Sequence, residues 1–363
     1  MILAIAILTT IACVLPGVFL VLRRMSLMSD AISHAILLGI VLGFFWTESL
    51  SSPLLMLGAT LAGMATVIIT EMIVQSKRLK EDAAIGLVFP AFFALAIILI
   101  NQFSGDVHLD TDAVLLGELA FAPFHRLTLL GWDLGPSGLW VSGLLASLNS
   151  FLVWRFYPTL TVSTFDPALS DSMGISSRWM HYGLMLIVSL TTVGAFQVVG
   201  SILVVALMIV PAATAYLMVR RLSHMVWGSI LSGISAVVSG YLFASHYDLS
   251  LAGCMAVAAG LLFIIALCVS PRFGILPRLW RFQEQKVRFA SDLLLVQLLS
   301  HEGTPSEASE STTSHMIHHM GWSRNLAGRA IRHGVSRNYI QREKNQLQLT
   351  PLGREMARRV MRY

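Results

Sequence analysis

Long apolar runs recur through residue 269 of this chain, at about 2–22, 31–46, 53–75, 83–101, 137–157, 180–198, 199–219, 225–244 and 250–269. A helix rises 1.5 Å per residue, so about 20 apolar residues cross the ~30 Å hydrocarbon core of a bilayer. Each run therefore reads as a transmembrane helix. There are eight or nine spans, according to whether 180–219 is one run or two broken near Gly200. Only 12% of the 363 residues are charged. A soluble domain has about 25%, so an ordinary soluble protein is excluded. The first run ends in Arg23-Arg24, has no basic segment ahead of it and is followed by further spans, so it is expected to be a span and not a cleaved signal peptide.

Charge divides the chain near Pro271. Residues 1–271 hold 10 Lys and Arg against 13 Asp and Glu, a net of −3; residues 272–363 hold 15 against 7, a net of +8. Within the first part, basic residues cluster at Arg23-Arg24, at Lys77, Arg78 and Lys80, and at Arg155, Arg178 and Arg220-Arg221. With nine spans these fall on alternate loops. Basic loops stay on the cytoplasmic side, so the N-terminus is expected outside and the C-terminal tail inside. The acidic outer loops carry His108, Asp110 and Asp112, which form a possible cation-attracting outer rim or simply a solvated loop. The apolar stretch 113–124 is too short to span and reads as re-entrant or interfacial.

Asp30 and His34 are the charged and titratable groups of the second span. Four residues apart on a helix, they share a face. Ionisable groups are expensive in hydrocarbon and face a bundle interior or a polar cavity. Carboxylate with imidazole suits Mn, Fe or Zn and lacks the thiolates of a Cu(I) site. The alternative is an Asp–His hydrogen bond joining helices, or Asp30 as a cap. Gly39 and Gly43 on the same span form a small-xxx-small pair that permits close packing. Glu81 and Asp82 open the fourth span, where acidic groups complement the helix dipole. In the loop 158–177, Asp166 suits an N-cap, Pro167 the first helical position and Gly174 the position just past a short helix. Cys13, Cys254 and Cys268 all sit in apolar runs and read as small buried hydrophobes. No G-x-x-x-x-G-K-[ST], H-E-x-x-H or G-x-S-x-G motif occurs, which removes a P-loop ATPase and disfavours a metalloprotease or serine hydrolase.

Four stretches, 17–35, 81–86, 164–175 and 199–215, together resemble the permease subunits of ABC importers for manganese, zinc or iron, over residues 1–271. The resemblance implies an all-α polytopic protein of the bacterial inner membrane that is not itself an enzyme. It implies that Asp30 and His34 are metal ligands on the translocation path. It implies that 164–175 is the coupling helix, with Asp166, Pro167, Ala168, Asp171 and Gly174 meeting a separate ATPase subunit. Further partners would be a second permease copy or paralogue and an extracytoplasmic metal-binding protein. The divalent metal would be cargo, with no permanently bound cofactor.

Residues 272–285 read as a basic linker, with Arg272, Arg278 and Arg281 able to sit on membrane lipid headgroups. Residues 286–363 resemble a small cytoplasmic winged-helix domain of α+β class. Val287, Leu294, Leu295, Leu298 and Leu299 have helical spacing; short helices are expected at 314–320 and 323–333, a hairpin turning near Lys344-Asn345, and a last helix after Pro351. Arg324, Arg329 and Arg332 on the recognition helix, with Arg342 and Lys344 on the wing, would meet DNA phosphates. The alternative is a basic domain that packs on the ATPase or senses metal, with His315, His318 and His319 as possible ligands. Two rivals to the importer remain: a membrane-anchored metal-responsive transcription regulator, and a permease for a metal chelate or cobalamin-like compound.

Overall fold

The computed structural model describes residues 1–47, 53–103, 119–124, 126–129, 132–271, 274–304, 312, 320–343 and 346–362. These divide into two compact units, Met1–Ser270 and Pro271–Tyr363. The outer-rim residues His108, Asp110 and Asp112, the histidines 315, 318 and 319, the helix expected at 314–320, Arg272 and Lys344 all lie outside the described residues.

The first unit runs α1 (Ile2–Leu22), α2 (Ser26–Thr47), α3 (Pro53–Gln75), α4 (Glu81–Phe103), β1 (Arg126–Leu129), β2 (Trp132–Pro136), α5 (Ser137–Phe165), α6 (Pro167–Ser172), α7 (Ser177–Val199), α8 (Ser201–Met218), α9 (Leu222–Tyr247) and α10 (Leu251–Val269). Among the described residues nine helices are long and apolar enough to cross a membrane, all but α6. The run 180–219 is two helices. Gly200, at φ +83°, ends α7 and starts α8, a backbone conformation open to glycine at no steric cost.

α1 is the hub. It packs against α2, α5, α7, α8 and α9, and every residue from Ala12 to Leu20 is buried. A helix apolar all round is one with neighbours all round. α2 and α3 pack closely. A β-carbon at Gly39 would collide with the Gly58 carbonyl, and one at Gly58 with the Gly39 carbonyl. Gly43, the second glycine of the α2 pair, approaches Leu55 less closely. Of the cysteines only Cys13 is buried; Cys254 and Cys268 are half-buried, and all three are free.

One expectation, that the membrane part is all-α, is corrected here. Residues 126–129 and 132–136 pair as antiparallel strands, with Thr128 opposite Asp133 and Leu129 opposite Trp132. Strands of four and five residues are too short to show a period-two pattern. The stretch read as a basic linker is helical from Ile275: it begins α11 (Ile275–His301), one helix of the second unit. Pro277 is accommodated because it lies in the first turn, where a backbone N–H has no intrahelical partner to lose.

The rest of the second unit is α12 (Arg324–Ser336), β3 (Ile340–Glu343), β4 (Gln346–Leu349) and α13 (Pro351–Met361). α11 packs on α12 and α13. Leu294, Leu295, Leu298, Ile331, Ile340, Leu347, Leu349 and Ala357 form its core. Ser323 and Thr350 cap α12 and α13 by accepting the N–H groups of Leu326 and Gly353. The strands pair antiparallel from Ile340–Leu349 to Glu343–Gln346. Arg354 binds the Glu302 carboxylate through Nε and Nη2, at 2.7 and 2.6 Å, tying α13 to the end of α11.

Candidate metal centre and the helix ends beneath it

α2 begins at Ser26, so Asp30 lies in its second turn and is not a cap. Met28, Ser29, Ala31, Ile32, Ser33, Ala35 and Ile36 face the bundle and are buried. Asp30 and His34 share the remaining face. Asp30 Oδ1 and His34 Nε2 stand 3.6 Å apart, and the side chains are 44% and 37% exposed. The imidazole lies against two rings of α4, stacked on Phe89 at 5.6 Å and edge-on to Phe93 at 5.8 Å between centroids. Below the pair, Leu37, Leu38 and Val41 close the α2–α4 contact with Ala96. The result is an acid and an imidazole held side by side on an apolar floor, with one side open. Among the described residues no three His, Cys, Asp or Glu come together as a metal-binding group.

α6 is the short helix expected from the 158–177 loop. The Asp166 carboxylate accepts the Leu169 N–H at 3.0 Å, Pro167 is its first residue, and Gly174 at φ +79° follows its end. The Asp171 carboxylate accepts the N–H of Ser177, the first residue of α7, at 2.8 Å. Asp166, Pro167, Ala168 and Asp171 are exposed, whereas Ser170 is buried. The helix is thus clamped at both ends by its own carboxylates and presents a free outer side.

At the same end of the bundle is a polar cluster that the sequence reading did not single out. The Arg23 guanidinium donates to Thr164 Oγ1 at 3.1 Å and Ser163 Oγ at 3.0 Å, and meets His181 Nδ1 at 3.4 Å. His181 Nε2 faces Glu71 Oε2 at 3.8 Å, and Gln75 donates to Glu71 Oε1 at 3.3 Å. Burial pulls the Arg23 guanidinium below its ordinary value. A cavity of about 590 Å³ opens beside the cluster. Glu71 and His181 each stand alone in an apolar run, and that isolation was the signal available, since an ionisable residue in a span needs a reason.

In the second unit, Arg324, Arg329 and Arg332 of α12 and Arg342 of β3 are all exposed. The opposite face of α12, Ala327, Ala330 and Ile331, is buried.

Residues 1–270 match the family model described as the ABC 3 transport family. The chain is 43% identical to the zinc transport system membrane protein TroD of Treponema pallidum (strain Nichols), over 97% of this chain and 96% of that protein. It is 39% identical to the manganese transport system membrane protein MntD of Bacillus subtilis (strain 168), over 76% of this chain and 94% of that protein. Among solved structures it resembles PsaBC from Streptococcus pneumoniae in complex with Fab, with a TM-score of 0.62 and 31% identity, over 75% of this chain and 91% of that one.

Proposed function

We propose, for a chain that belongs to the ABC 3 transport family, that it is the permease subunit of an ABC importer and passes a divalent transition metal ion into the cytoplasm. The observation that carries this reading is the Asp30–His34 pair on α2. A hydrated dication cannot enter hydrocarbon. It must exchange waters for protein ligands, and a carboxylate that offsets charge beside a neutral imidazole suits manganese, zinc or iron. Which of the three is carried rests on geometry and availability, because the same side chains serve all. The open side of the pair calls for ligands from outside the described residues, and a second permease, copy or paralogue, is their source. An extracytoplasmic metal-binding protein delivers the ion at the acidic outer loops. The chain lacks a P-loop, so ATP is hydrolysed by a separate subunit. α6 is the coupling helix that enters that subunit, at the inner face of the bacterial inner membrane where the basic loops lie. A permease for a metal chelate or cobalamin-like compound would need a wide chamber, and a two-ligand site for a bare ion argues against it.

Metal content of cells with the intact system, against cells lacking it, tests the reading. An excess of Mn, Zn or Fe that disappears in the Asp30→Ala, His34→Ala double variant supports it. Unchanged uptake in that variant removes the site.

Residues 271–363 form, in the same reading, a cytoplasmic winged-helix domain. The helix–helix–hairpin–helix order and the exposed arginines of α12 and β3 support this. α12 is then the recognition helix. Exposed Arg278, Arg281, Ile275, Leu276 and Trp280 on the first turns of α11 suit an anionic lipid surface. The second reading of the whole chain, a membrane-anchored metal-responsive regulator of transcription, is favoured by the arginines. Removing residues 271–363 discriminates: retained uptake with altered gene expression makes the tail regulatory, and lost uptake makes it part of the transport cycle.

A further inference from the structure

The polar cluster at the inner helix ends joins segments that the transport cycle must move together. Ser163 and Thr164 are in the last turn of α5, and Asp166, two residues on, caps α6. His181 is in the first turns of α7, whose first N–H is held by Asp171 of α6. A displacement of α6 is therefore delivered to the end of α5 and the start of α7. Arg23 bonds both of these, through Nε and Nη2 to the α5 hydroxyls and through Nη1 to His181. It also closes α1, one residue before the left-handed Arg24 (φ +63°) and three before α2 begins. Asp30 is seven residues beyond it.

We propose that Arg23 is the positioning residue through which movement of α6 reaches the α2 metal ligands. This deepens the permease reading and rests on it. An arginine is suited to the task. Its planar fork holds several acceptors in fixed directions, where lysine is a single mobile charge. The hydroxyls of Ser163 and Thr164 accept from it, so the α5 arm is directional. On the α7 arm its N–H meets His181 Nδ1, which leaves the other ring nitrogen to carry the proton toward Glu71 of α3. The cluster thereby links α1, α3, α5 and α7 beside the apolar packing of Phe19, Leu160 and Leu184. The adjoining cavity, bordered by Arg24, Glu71, Asp171 and His181 among others, leaves space for the ends to shift.

The test uses the complete importer, with its ATPase, partner permease and extracytoplasmic metal-binding protein, in metal-free proteoliposomes that enclose ATP and to which Mn²⁺ or Zn²⁺ is added outside. Metal entry and ATP hydrolysis are measured together. In Arg23→Gln, hydrolysis should stay within about twofold, while metal entered per ATP falls about tenfold, a typical energy for coupling between sites. The double variant Ser163→Ala, Thr164→Val, which removes the α5 arm alone, should lower the same ratio with Arg23 intact. A wild-type ratio in either variant overturns the proposal. So does a loss of entry and hydrolysis in equal proportion from both, which marks a merely structural tie. Should Arg23→Gln not assemble, the Ser163, Thr164 variant decides by itself. Asp30→Ala in parallel separates the two levels. If it abolishes entry while Arg23→Gln keeps the wild-type ratio, the permease reading stands and this inference fails; if Asp30→Ala transports normally, the reading beneath it fails.

Discussion

His34 Nε2 lies 3.6 Å from Asp30 Oδ1 across one turn of α2, with its ring stacked on Phe89 of α4. The spacing is right for one ion to touch both groups after a small side-chain rotation, and the phenylalanine limits how far the imidazole can turn away. Either Asp30→Ala or His34→Ala should reduce metal accumulation by on the order of 100-fold, with unchanged protein in the membrane. Phe89→Ala should cost less and act on metal affinity, through a freer His34. Uptake assays at varied external metal check both.

Gly39 and Gly58 leave no volume between α2 and α3. Gly39→Val should destabilise the bundle by at least ~2 kcal/mol, since overpacking against backbone cannot be relieved by a side-chain move. Gly86→Ala is the control: a β-carbon there meets nothing within 4 Å, and it should be neutral or slightly stabilising. Thermal unfolding in detergent compares them.

Asp166 satisfies the start of α6 with an exposed carboxylate. Asp166→Ala should cost about 1 kcal/mol locally and leave the melting of the bundle unchanged. Its effect should be seen in weaker capture of the ATPase subunit. Capture equal to that of the unmodified permease would remove α6 from that interface.

If α12 meets DNA, the full-length protein in detergent should bind duplex with an affinity that falls steeply with salt. Replacing Arg324, Arg329 and Arg332 together by Gln should lower the slope of log affinity against log salt by about 3. Absence of duplex binding at low salt would leave these arginines to a protein or lipid partner.

Asp292, on α11 of the second unit, is held above the usual carboxylate range by burial, against the opposing pull of Arg288 and His333. The folded unit therefore holds that proton more tightly than the unfolded chain does. Its contribution to stability is complete below the unfolded value of about 4 and is lost as pH rises through the folded value. At neutral pH the ionised form is a cost. Asp292→Asn should slow proteolysis within 275–362 at pH 7 and change little at pH 4, read from timed digests of the whole protein.

The residues that announced themselves in the sequence did so through local geometry. Asp30 and His34 share a face because a helix has 3.6 residues per turn; Asp166, Pro167 and Gly174 bracket a short helix because capping is a matter of adjacent residues; and the spans follow from length and apolarity alone. A segment's own period and end chemistry suffice for such features. What the sequence alone could not determine was which segments meet. The Arg23–His181–Glu71 chain joins three helices through links of 158 and 110 positions, and the Gly39–Gly58 contact depends on two helices choosing the same crossing point. In a lipid-embedded bundle nearly every face is apolar, so periodicity no longer marks the buried side. Shape complementarity and a few polar hydrogen bonds decide the partners, and those exist only once the chain has packed.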